Sequence, residues 1–141
     1  MTVADRPGDV GAIIYVDRSD VHEHCLNELK VGIRALVAFV DAQQPQIAAY
    51  GIYLDEQVHR MTVVSVHPNS TSLERHIKLG APEFGKLAPY IDLREIEVFG
   101  QLSEAAADLV CEKAAALGDA GRVTLHEQSA GFGRLCVPPT A

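Results

Sequence analysis

The segment Met61-Thr-Val-Val-Ser-Val-His67 is apolar on both of its alternating sets: Met61, Val63 and Ser65 on one, Thr62, Val64 and Val66 on the other. Successive side chains of a strand point to opposite faces, so a strand of this kind needs partners on two sides. Ile13 and Tyr15 against Ile14 and Val16 repeat the pattern. A sheet built from such strands must be covered on both faces, which constrains a short chain severely.

The order of elements supplies cover for one face only. Gly11–Val16 reads as a buried strand, and Asp20 with Glu23 resembles a capping box that opens a helix. Leu26, Leu29, Ile33, Leu36, Val37 and Val40 continue that helix at its period, and Pro45 requires it to stop. Ile47–Leu54 and Met61–His67 form a hairpin. Thr71 and Glu74 have capping-box spacing for a second helix, in which Leu73, His76, Ile77 and Gly80 share a face. Pro82 starts a separate short helix carrying Phe84 and Leu87, and Leu93–Phe99 is a fourth strand. The order over residues 11–100 is β-α-β-β-α-β, the ferredoxin-like α+β arrangement with an antiparallel sheet and both helices on one face.

Residues 101–141 extend this core. Ser103 caps an alanine-rich helix that runs to Leu117, Gly118 ends it, and Val123–His126 is a fifth strand. Gly131–Leu135 then returns as a tail with the aromatic anchor Phe132. The 141 residues make a single domain, with 1–9 as a flexible tail. The sheet face opposite the helices remains to be covered, and a homodimer with sheets packed face to face covers it.

The composition narrows the function. A net charge of −7 argues against nucleic acid and against an anionic membrane surface as partners. Three widely spaced cysteines, Cys25, Cys111 and Cys136, give no disulfide framework and point to the cytoplasm. No run approaches the ~20 apolar residues that span a bilayer, and no phosphate-binding glycine motif occurs.

The opening strand and helix, the Pro45-Gln-Ile-Ala-Ala-Tyr50 segment and His67-Pro-Asn-Ser-Thr-Ser-Leu-Glu-Arg-His76 resemble the antibiotic biosynthesis monooxygenase-like proteins of the dimeric α/β-barrel superfamily. The resemblance covers residues 11–100. It implies a homodimer with a pocket between sheet and helices in each subunit. It further implies cofactor-independent oxygenation of polyketide anthrones in one branch and heme binding and cleavage in another. Catalytic residues of those branches include a tryptophan, which this chain lacks.

His67 and His76 are the candidate catalytic pair. His67 ends a strand on the Met61–Val63–Ser65 side, and His76 lies on the following helix as it runs back over the sheet. Together they can act as general base and hydrogen-bond donor toward a phenol, or ligate heme iron or a divalent metal. Alternatively, both are hydrogen-bonded core residues. Two histidines fall short of the three protein ligands of a catalytic zinc, so no metal ligand set is assigned. Tyr50 and Tyr53, on opposite faces of their strand, are candidate ligand contacts, with Ser72 and Glu74 beside them. The function expected is binding of a small apolar or aromatic ligand, with cofactor-independent monooxygenation of an aromatic, polyketide-type substrate as its chemistry. A non-catalytic ligand-binding or structural dimer is the alternative, and a heme or metal binder the third.

Overall fold

The computed structural model describes residues 11–118 and 121–135; the expected tail at 1–9 and Cys136 lie outside them. The chain runs β1 (Ile13–Val21), α1 (Leu26–Gln43), β2 (Ala49–Asp55), β3 (Arg60–His67), α2 (Ser70–Gly85), β4 (Ile91–Phe99), α3 (Glu104–Leu117) and β5 (Arg122–His126). Short 3-10 turns precede β3 and β4. The sheet order is β2-β3-β1-β4-β5. Its first four strands are antiparallel and make the ferredoxin-like core. β5 adds to β4 in parallel, so the extension turns the antiparallel core into a mixed, open sheet.

Helices α1, α2 and α3 pack on one face, over the strand positions Ile13, Tyr15, Val21, Met61, Val63, Leu93, Ile96 and Val98, all buried. The other face carries no helix among the described residues. There Ile14 pairs with Val66 and Phe99, and Val16 pairs with Val64. Ile14 is 42% exposed. Beside this apolar strip lies a charged one, in which Arg18 bridges Glu95 and Glu97, Arg122 pairs with Glu95, and His126 with Glu97.

Four sequence expectations need correction. The box at Asp20 and Glu23 does not open α1: β1 continues to Val21, whose side chain is buried, and Asp20 pairs with Arg94. α1 starts at Leu26 from Cys25 without a side-chain cap. Ladder hydrogen bonds to β3 and β4 over residues 19–21 prevail over the local capping signal. The cap of α2 is Asn69, whose side chain accepts from the Ser72 amide, while Glu74 pairs with Lys78. Pro82 begins no separate helix; α2 runs through it because Ile77, Gly80 and Phe84 bury one continuous face while Pro82 stays exposed. A proline inside a helix costs ~3 kcal/mol, which burial of Phe84 and its neighbours can offset. Phe132 does not anchor the tail: it is 77% exposed, with the Arg134 guanidinium 4.3 Å from its ring centre.

The α3 cap is as the sequence indicates, with Ser103 accepting from the Ala106 amide. Gly118, which follows α3, lies against β4, where an added Cβ would collide with the Leu93 carbonyl oxygen. Gly118→Ala is therefore expected to destabilise the fold by about 1–3 kcal/mol. Gly85→Ala, where a Cβ meets nothing, should leave stability level or raise it. Urea unfolding of the two variants checks the contrast.

Candidate functional site

The alternation of β1 sends Tyr15, Asp17 and Ser19 toward the helices, and all three are buried. From the opposite layer α3 sends in Lys113, on the same helical stripe as Ala106, Val110 and Ala114. Its ammonium donates to the Tyr15 hydroxyl at 2.7 Å and to Asp17 Oδ2 at 3.2 Å. Tyr15 in turn donates to Asp17 Oδ2 at 2.5 Å. The ammonium also lies 4.7 Å from the Tyr15 ring centre and 4.1 Å from that of Phe84. An unpaired charge here would carry a desolvation cost of several kcal/mol; Asp17 and Lys113 neutralise each other instead. Burial above all, with the Asp17 charge second, raises the Tyr15 pKa well above the ordinary phenol value, so Tyr15 remains a donor.

His67 and His76 come together as their sequence positions suggest, with ring centres 5.5 Å apart. His67 is held at both nitrogens, Nε2 by the Ser65 hydroxyl at 2.9 Å and Nδ1 by the Ser72 hydroxyl at 2.8 Å. His76 Nδ1 lies 3.0 Å from Gln44 Oε1. Gln46 Nε2 also donates to that Gln44 atom, which marks it as the amide oxygen. With Gln44 Oε1 as the acceptor, His76 Nδ1 donates and Nε2 is the lone pair; His76 Nε2 and Gln44 Nε2 are both buried without a partner. Tyr50 and Phe84 flank the ring at 5.4 and 5.2 Å between centres. Burial first, then the Lys113 charge, lowers the His67 pKa to about 4 and that of His76 to about 2. Both rings are neutral at pH 7.

Tyr50 and Tyr53 part to opposite faces. Tyr50 is half-buried, packs on the core and has its pKa raised by burial. Tyr53 is 58% exposed on the other face, its ring against Gly51. Ser72 is joined to His67, whereas Glu74 faces outward to Lys78.

An interior cavity of about 20 Å³ is lined by Asp17, Ser19, Tyr50, Phe84 and Lys113 together with apolar side chains of α1, β3 and β4. That volume suits about one water molecule. Ser19 Oγ, on its wall, is buried without a hydrogen-bond partner. Neither His67 nor His76 lines it.

Sequence reasoning singled out the histidines and missed Asp17, Ser19 and Lys113. The signal was present: an aspartate and a serine at core-facing positions of β1, and a lysine on the apolar stripe of α3. Each alone reads as a polar interruption. Only the sheet–helix contact pairs them.

Among the described residues no group of three or more His, Cys, Asp or Glu could hold a metal ion. Heme does not fit the residues as packed. His67 has both nitrogens engaged, and the His76 ring is packed between those of Tyr50 and Phe84.

This open sheet with helices on one face is the ferredoxin-like fold shared by the antibiotic biosynthesis monooxygenase-like proteins. MupZ from Pseudomonas fluorescens superposes with a TM-score of 0.69 at 15% identity, over 92% of this chain and 94% of that one. SnoaB from Streptomyces nogalater, a cofactor-independent oxygenase, superposes with a TM-score of 0.54 at 16% identity, over 66% of this chain and 95% of its own. A provisionally assigned antibiotic biosynthesis monooxygenase from Caulobacter crescentus CB15 gives 0.57 at 17% identity, over 67% and 93%. The last two leave about a third of this chain unmatched, whereas MupZ matches nearly all of it. No protein-family model matches the sequence, and no curated protein does so significantly.

The depressed histidine pKa values make stability depend on pH. Unfolded histidines bind protons near pH 6.5, while the folded rings resist protonation until about pH 4 or lower. The unfolded state thus binds more protons in that window, and stability falls as pH drops from 7 toward 4. The loss expected from His67 is on the order of 3 kcal/mol. Urea midpoints measured from pH 7 to 4.5 should fall, and less steeply in a folded His67→Gln variant.

Proposed function

We propose that this protein binds a small, largely apolar or aromatic molecule between its sheet and helices, and that its chemistry is cofactor-independent oxygenation of a phenolic, polyketide-type substrate. The observation that carries the reading is His76 Nε2, a lone pair buried without a partner on a ring fixed by Gln44. The nitrogen is placed to accept a proton, and it can do so only where the developing anion of a bound substrate offsets the burial that lowers its pKa to about 2. His76 takes the proton of an activated carbon or phenol, His67 supports it, and Tyr50 orients the aromatic ring. Molecular oxygen then adds to the carbanion, and the peroxide so formed loses water to leave a carbonyl. The cavity holds about 20 Å³, so a ligand larger than water enters only if the side chains around it move.

Aerobic incubation with an anthrone should consume one oxygen per quinone formed, and His76→Ala should lose most of that turnover. Rates equal to those without protein would overturn the oxygenase reading. The doubly bonded His67 and the small cavity favour a second reading, a non-catalytic ligand-binding or structural protein. That reading predicts saturable binding, or none, without oxygen uptake.

A homodimer belongs to this proposal, with the strip of exposed Ile14 and Phe99 and half-buried Val16, Val64 and Val66 as its interface. A cytoplasmic location goes with the free thiols Cys25 and Cys111. No described helix is long and apolar enough to cross a membrane. Sedimentation equilibrium at micromolar concentration should give twice the chain mass, and Val64→Glu should halve it. A wild-type monomer would dismiss the interface.

A further inference from the structure

We infer that Asp17, Lys113 and Ser19 form the polar end of the interior site and select a ligand bearing an uncharged oxygen, a ketone or a hydroxyl. The inference rests on the reading of the interior as a small-molecule site and adds the chemical class that enters it.

Unused hydrogen-bonding capacity borders one cavity. Lys113 has three N–H donors and gives two, to Tyr15 and Asp17. Asp17 receives both of these hydrogen bonds at Oδ2. Ser19 Oγ is 1% exposed and unpartnered. Asp17, Ser19 and Lys113 all line the same void, whose remaining wall is mostly apolar. Buried polar groups are ordinarily satisfied, so an orphaned serine hydroxyl beside an ammonium with a donor to spare marks a place for another polar atom.

The sign of the charge sets the ligand class. Lys113 and Asp17 already cancel, so a carboxylate or an ammonium would bring an uncompensated charge into the core. A carbonyl oxygen accepts a hydrogen bond from the remaining Lys113 N–H without that penalty. A hydroxyl can in addition donate to Asp17 or Ser19. Lys113 thus contacts the ligand directly, and α3 of the C-terminal extension delivers it to the core.

The pair acetophenone and ethylbenzene tests the assignment, since they differ by a carbonyl in place of a methylene. Titrations followed by protein NMR should show acetophenone binding about tenfold tighter than ethylbenzene, the effect of one hydrogen bond from a charged donor. Benzoate should bind more weakly than acetophenone. The neutral double variant D17N/K113M should lose the preference while still binding ethylbenzene. Ser19→Ala, a small change that leaves the ion pair intact, should reduce the preference several-fold and serves if the double variant fails to fold. Equal affinity for the two probes in the wild type would overturn the inference and leave the interior site standing. A preference that survives both variants would overturn the assignment to these residues. Binding of neither probe at millimolar concentration would remove the interior site itself.

Discussion

The burial of Lys113 organises this molecule. Its ammonium is placed against a core aspartate and tyrosine, and the distances of 2.7 and 3.2 Å couple α3 to β1 across the whole helix layer. Removing one partner of such a pair leaves an uncompensated charge and costs about 3–5 kcal/mol, whereas replacing both with apolar groups is often neutral. Stability alone therefore does not account for the pair. The pair lies beside a void and an unpartnered serine.

The same ion pair conditions the histidines. Lys113 and burial act together to keep His67 and His76 neutral. The interior thus holds two polar systems of different character, a charged but balanced one on β1 and α3, and a neutral one on β3 and α2. Tyr50 and Phe84 stand between them: both pack on His76 and both line the cavity beside Lys113. A ligand that displaces these rings would meet the His76 lone pair and the Lys113 donor together.

The core was legible because its strands and helices carry period-two and helical spacing strong enough to fix their order. Boundaries went wrong where a local signal competed with a distant one. Asp20 and Glu23 have the chemistry of a cap, yet the β1 ladder claims residue 20. Pro82 has the chemistry of a helix start, yet Ile77, Gly80 and Phe84 need one unbroken face. The histidine pair was visible because a strand and the helix after it are near in sequence. Asp17 and Lys113 are separated by 96 positions, and nothing along the chain joins them.

The sequence by itself determined the βαββαβ order, the helix-facing set of each strand, and the doubly apolar strands that leave one sheet face to be covered. These follow from backbone periodicity, which is local. The tertiary structure alone decided which polar residues meet. It tied Gln44 to His76, Ser72 to His67, and Lys113 to Tyr15 and Asp17. It also decided that the extension completes the interior, because the parallel β5 and the packing of α3 on α2 and β4 bring Lys113 over β1. Electrostatic pairing in a buried core depends on distances of a few ångströms between remote segments, and only the folded chain sets them.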